Sequence, residues 1–135
     1  MSKKKGKLLL KVIIITVVLM VGLVVFIVYK FNDMRQTLVE TKLSNIKLQN
    51  VKDGEYIGSY YKFLVGVKLK VKVKDHRIVK IEILDQRSGK GYEATGIMDR
   101  VIKKQSLKVD TITGATGSSK AILIAVDKAL TCENK

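Results

Sequence analysis

The chain has 135 residues, 47% of them apolar, and a net charge of +14, which leaves room for one small domain and an anchor. One cysteine and no proline exclude an intrachain disulfide framework and a proline-stiffened spacer, so the domain has to be held by an apolar core.

Lys3, Lys4, Lys5, Lys7 and Lys11 make residues 1–11 a basic tail. Val12 to Tyr29 then carries no charge, and as a helix rising ~1.5 Å per residue it spans ~27 Å of hydrocarbon. Leu8 to Leu10 extend it, with Lys11 snorkelling to the interface. A cleaved signal peptide has an apolar core of about 7–15 residues and a small-residue cleavage site. Neither pattern is seen, so residues 12–30 are predicted to be an uncleaved, single-pass signal anchor. No cysteine follows the block, which excludes a lipoprotein anchor. Fewer cations follow the span (Lys30, Arg35, Lys42) than precede it, which predicts a cytoplasmic N-terminus and an extracytoplasmic C-terminal domain at the cell membrane. All 12 acidic residues lie beyond the span with 21 of the 26 basic ones, a net +9. Such a surface suits anionic lipid headgroups, wall polymers or a phosphate-bearing cofactor, and on that side of the membrane nucleic acid is not an expected partner.

Residues 31–52 read as a stalk or linker, helical at its start because Phe31, Met34 and Leu38 recur at helical spacing. Asp53 and Gly54 signal a turn, and Glu55 to Phe63 form a first strand rich in aromatic and β-branched residues. Val65, Val67, Leu69, Val71 and Val73 then alternate with Lys68, Lys70, Lys72 and Lys74, a strand with one face buried and a row of ammonium groups in water. The lysine row is read first as a solvated face that discourages edge pairing, and second as a polyanion-binding stripe. Asp75, His76 and Arg77 turn the chain into a third strand, Ile78 to Leu84, with His76 a solvated turn residue rather than a metal ligand.

Gln86 to Gly91 is a polar loop, and a helix is predicted from Tyr92 to Lys104, with Ala94, Ile97, Met98, Val101 and Ile102 on its apolar face. The chain should extend through Leu107 and Val109 to Asp110 and turn at Gly114. It then enters a last helix that buries Ile122, Ala125, Val126, Ala129 and Leu130 and is capped by Ser118 or Ser119. The fold class is α+β, an antiparallel β-meander packed on two or three helices and preceded by a single transmembrane helix. Residues 53–131 form the domain and 132–135 a C-terminal tail.

The segment TGATGSSK, Thr113 to Lys120, combines open backbone N–H groups, small side chains and hydroxyls at a helix start, where the helix dipole favours an anion by ~0.3–1 kcal/mol. On composition alone it fits both an ordinary helix cap and a phosphate cradle. A P-loop fails because no glycine stands at Ile112 and no lysine follows Gly117, and the GxGxxG fingerprint is absent. The single histidine is not tied by spacing to Ser118, Thr116 or Cys132, so a hydrolytic triad is unsupported.

QSLKVDTITGATGSSKAILIAVDKAL, Gln105 to Leu130, resembles the C-terminal signature of the FMN-binding domain family, which includes subunits of sodium-pumping NADH:quinone oxidoreductase and of Rnf-type complexes. Asp110 followed after two residues by Thr113, Gly114, Ala115 and Thr116 is similar to the family's flavinylation pattern. DGEYIGSY from Asp53 resembles its opening strand, and VKLKVKVKDHRIVKIEIL resembles its central hairpin, although the DHR turn lacks the glycine of many relatives.

The resemblance implies covalent FMN in phosphoester linkage to Thr116, attached by a magnesium-dependent flavin transferase that uses FAD and releases AMP. It makes Asp110 the transferase recognition residue, and Thr113, Gly114, Ala115, Gly117, Ser118 and Ser119 the surroundings of the phosphate. Glu93 to Gly96 is loosely similar to a glutamate-threonine-glycine loop beside the ring in larger relatives, which makes Tyr92, Glu93 and Thr95 candidate ring contacts. Tyr56, Tyr60 and Tyr61, like Tyr92, are read first as core or surface packing and second as stacking partners of the ring. The implied role is an electron-transfer carrier or subunit, with redox proteins or the quinone pool as partners, rather than an enzyme with its own substrate. The alternatives are a non-redox basic module on wall polymer or lipid headgroups, and a module that binds FMN non-covalently.

Overall fold

The computed structural model describes residues 3–89 and 92–131, so Cys132 and the tail 132–135 lie outside the described residues. The chain divides into two compact units, Met1–Met34 and Arg35–Lys135. Helix α1 (Lys3–Glu40) accounts for the described part of the first. Its apolar window has a mean hydropathy of 3.2 with none of it buried in the protein, so it is long and apolar enough to cross a membrane. A helix satisfies its own backbone hydrogen bonds, which is what hydrocarbon requires of a spanning segment.

The second unit is built on an antiparallel sheet of order β1-β2-β3, with β1 (Gly54–Lys62), β2 (Val65–Lys74) and β3 (Arg77–Arg87). Period-two alternation sends Val67, Leu69, Val71 and Val73 of the central strand into the core and its lysines outward. Two bulges in the β2–β3 register, at Lys68/Leu69 and Lys72/Val73, are absorbed on β3, where Val79 and Leu84 are left exposed. The third strand is three residues longer than the sequence pattern suggested at its far end, because Gln86 pairs with Val67 and Arg87 with Gly66.

Helix α3 (Thr116–Thr131) lies on the inner face of the sheet. Ile122, Ala125, Val126, Ala129 and Leu130 are buried as their spacing requires, and Ala121, Leu123 and Ile124 are buried as well. A helix that is apolar all round needs cover on every side. Part of that cover is the last turn of α1, where Leu38 is buried, and the segment after it, where Val51 is buried and Ser44 donates from its N–H and Oγ to Asp127 Oδ2, at 3.3 and 3.2 Å. The closest approach to the sheet is at Gly58 of β1. A Cβ there would stand 1.9 Å from the Ala125 carbonyl oxygen and 2.8 Å from Ala129 Cβ.

Helix α2 (Gly96–Lys104) starts later than the predicted Tyr92, because Ala94 adopts a left-handed φ of 54°, which an α-helix excludes. Ile97 and Val101 anchor its apolar face. At its end Gln105 turns left-handed and its amide clamps Ile78 of β3, accepting from the N–H and donating to the carbonyl at 2.8 Å each. Residues 107–110, expected to be extended, join no strand.

The β2–β3 turn has left-handed φ at both Asp75 and His76, the requirement of a type I′ hairpin that glycine usually meets. Here outside contacts hold it. The N–H groups of Asp75 and His76 donate to the Asp53 carboxylate, and His76 Nδ1 donates to the Val51 carbonyl at 3.0 Å. The bond from Asp75, ahead of that from His76, holds the Asp53 pKa below its ordinary 3.8.

Two outcomes are expected. Gly58→Ala should destabilise the domain by about 3 kcal/mol in chemical denaturation, since a rigid helix carbonyl faces the new methyl; a loss below about 1 kcal/mol would contradict the close contact. Because the folded pKa of Asp53 is depressed, its contribution is present above pH 3.8 and is lost as pH falls through the folded value. Thermal midpoints of wild type and Asp53→Ala should therefore differ at neutral pH and converge in acid.

Candidate functional site

The turn before α3 is closed by a hydrogen bond from the Ala115 N–H to the Ile112 carbonyl at 3.0 Å. Gly114 supplies the φ of 80° at its third position, the mark of a type II turn. The helix therefore begins at Thr116, and Ser118 and Ser119 lie inside its first turn rather than capping it. Both serines are buried, and Ser119 Oγ accepts from the Ile112 N–H at 3.0 Å, which ties the incoming strand of the turn to the helix.

Thr116 is exposed at the first helical position, as are Thr113 and Gly114 in the turn before it, while Ala115 is buried and packs the turn down. The N–H groups of Thr116, Gly117 and Ser118 form the open end of the helix, one turn short of the first α-helical bond from Ser119 to Ala115 at 2.9 Å. A small anion at Thr116 thus meets free donors and the positive end of the dipole of the helix at the core of the domain. Half-buried Lys120 lies one turn further on.

Helix α2 braces the turn. Arg100 donates through one guanidinium nitrogen to the carbonyls of Asp110 and Thr111, at 2.7 and 3.2 Å. This leaves the exposed Asp110 carboxylate on the surface beside the turn. At the other end of α2, a Cβ on Gly96 would stand 3.7 Å from Ile112 Cδ1, which brings the Glu93–Gly96 segment alongside the turn. Tyr92, Glu93 and Thr95 are all exposed there, and the Glu93 carbonyl is held by Gln86 Nε2 at 2.6 Å.

The other tyrosines are engaged elsewhere. Tyr56 donates to the Lys52 carbonyl at 2.6 Å, Tyr60 is buried beneath the Lys128 ammonium, and Tyr61 lies on the outer sheet face between Asp85 and Arg87. A cavity of about 400 Å³ is lined by residues 50–56 and Leu130. Leu130 is fourteen residues beyond Thr116, about 21 Å along the helix, so that cavity and the turn are separate places.

Residues 65–131 match the FMN-binding domain. That part of the chain belongs to the FMN-binding domain family. No curated protein matches the chain. In this FMN-binding domain the residues present fit a flavin phosphate: an exposed hydroxyl on Thr116, the N–H groups of the first helical turn, and Gly114 with free space around it. No sequence signal marks Arg100, which looks like any solvent-facing cation on an amphipathic helix. Nor does any mark the division of the hydroxyls, with Ser118 and Ser119 buried and Thr113 and Thr116 exposed.

A Cβ at Gly114 would meet nothing within 4 Å, so Gly114→Ala tests backbone conformation alone. It should cost about 1–2 kcal/mol through the left-handed φ, measured by chemical denaturation; an unchanged midpoint would mean that the turn is not held in this form.

Proposed function

We propose that the protein is a membrane-anchored flavoprotein that carries FMN covalently on Thr116 and serves as an electron-transfer carrier outside the cytoplasm. The observation that carries this reading is the placement of Thr116. Within a domain of the FMN-binding family, it offers an exposed hydroxyl at the N-terminus of a buried helix, next to the three open N–H groups.

In the proposed attachment, Thr116 Oγ forms a new bond to the phosphorus of the FMN half of FAD. The pyrophosphate bond breaks, AMP leaves, and the hydroxyl proton is lost. A separate magnesium-dependent flavin transferase carries this out, with Asp110 as its recognition contact. The chain's own part is positional. Gly114 and Ala115 keep the approach to Thr116 low and unobstructed, Arg100 fixes the two carbonyls that precede the turn, and the helix end receives the phosphate charge. FMN when bound supplies one- or two-electron transfer. The electron partners are redox proteins or the quinone pool. A covalent tether suits a domain facing the outside, where a dissociated cofactor is lost by dilution.

The lysine row gives less support to a polyanion-binding module, because carboxylates are interleaved with it. Glu55 bridges Lys70 and Lys72 at 3.2 and 3.7 Å, and in the β2–β3 register Lys68 faces Asp85 and Lys70 faces Glu82. The Lys70 ammonium, ahead of Lys72, holds the Glu55 carboxyl below its ordinary range, as expected of a mixed-charge face.

Protein produced together with a flavin transferase should give a fluorescent band under ultraviolet light after denaturing electrophoresis. Thr116→Val, which keeps the branched shape and removes the hydroxyl, should give a dark band at full expression. Yellow native protein whose colour separates on denaturation would replace the covalent reading with non-covalent binding.

A further inference from the structure

The β1–β2 hairpin closes through two residues, Phe63 and Leu64, between the paired Lys62 and Val65. Hairpins of this length favour Asn-Gly or Asp-Gly, because their turn demands positive φ. Here Phe63 adopts φ 50°. Both side chains are exposed, Phe63 at 42% and Leu64 at 55%. Backbone strain at Phe63 therefore coincides with exposed apolar surface on Phe63 and its neighbour Leu64, the combination that marks a surface kept for contact rather than for folding.

The tip stands beside the Thr116 turn. A Cβ on Gly117 would lie 3.9 Å from Val65 Cγ2 and 3.8 Å from Leu38 Cδ1, and Val65 directly follows Leu64. The base of the hairpin is fixed, because Lys62 Nζ donates to Thr37 Oγ1 at 2.6 Å. A polar, anion-ready helix end thus adjoins a small, rigidly based apolar step.

We propose that Phe63 and Leu64 form the shelf against which the isoalloxazine ring of the flavin on Thr116 packs. The inference rests on the attachment proposed above and adds the place of the ring. A flavin has a charged phosphate, a polar ribityl chain and a flat, largely apolar ring system, and the surface running from the helix end to the hairpin tip presents matching chemistry in the same order. The tether makes the encounter intramolecular, so a shelf of two side chains is enough to hold the ring. An aromatic side chain at the tip offers offset stacking to a flat ring, which an aliphatic one cannot.

The test uses the full-length, flavin-loaded protein in detergent, with Phe63→Gly, Leu64→Ser and, as a control on the outer sheet face, Val79→Ala. Intact mass reports loading, flavin emission anisotropy reports ring mobility, iodide quenching reports ring exposure, and the thermal midpoint reports stability. Loading should stay at the wild-type level in all variants. In Phe63→Gly the anisotropy should fall and the quenching constant should rise about twofold, as one of the ring's two faces is uncovered. Its thermal midpoint should hold or rise, because glycine relieves the left-handed φ. Leu64→Ser should shift both flavin readouts in the same direction, and Val79→Ala neither. Fully loaded variants with wild-type anisotropy and quenching would overturn the shelf. A fall in thermal midpoint that accounts for the flavin changes would make Phe63 a folding residue and overturn it too. Wild-type protein without added mass would instead overturn attachment at Thr116.

Discussion

The contact between Gly58 and the backbone of Ala125 sets the geometry from which the rest of the domain follows. Only a residue without a Cβ lets α3 come this close to β1, and Ala129 keeps the helix side of the contact equally small. With the axis of α3 placed, Ile122, Val126 and Leu130 fill the space over Val67, Leu69, Val71 and Val73, where each fully buried aliphatic side chain contributes ~1.5–3 kcal/mol. The same placement sets the N-terminus of α3, and with it Thr116, at one end of the sheet. A helix end anchored by most of a hydrophobic core cannot drift, so an anion held there has a fixed position.

Three pieces of chain meet at that end, and each does a different job. The type II turn presents Thr116, and Ser119 closes it from inside through the Ile112 N–H. Helix α2, itself clamped to β3 by Gln105, fixes the carbonyls of Asp110 and Thr111 through Arg100. The β1–β2 hairpin brings Val65 against the first turn of α3 and carries the exposed Phe63 and Leu64 with it. Bracing by buried side chains and backbone bonds leaves Thr113, Gly114 and Thr116 on the surface. The proposed carrier role calls for this arrangement more than for an enclosed pocket, because a flavin on Thr116 would have to be reached by a transferase once and by electron partners repeatedly.

What could be read in the sequence depended on how local the cause was. The alternation of β2 and the i, i+3, i+4 pattern of α3 are local and periodic, so strand order, burial and the α+β class followed from them. The Asp110 to Thr116 motif stood out by its composition, and its resemblance to a family gave it a chemical meaning. The start of α2 was misplaced because nothing in Tyr92 to Thr95 signals that Ala94 takes a left-handed conformation. The end of β3 was missed because Gln86 and Arg87 are strand residues only through their partners on β2. Ser44 and Val51 show no period, and what they pack against is set by the apolar surface of α3. Arg100 and Phe63 are legible only in three dimensions, since their roles arise from segments distant in the chain.

The claim on which this account turns is that the hydroxyl of Thr116 bears the flavin. Mass-spectrometric mapping of proteolytic peptides from the full-length protein, produced with a flavin transferase, tests it directly. The account predicts one FMN added with loss of water, on the peptide spanning Asp110 to Lys120, with fragment ions that localise it to Thr116. An unmodified peptide, or an adduct localised to Thr113, Ser118 or Ser119, would contradict it.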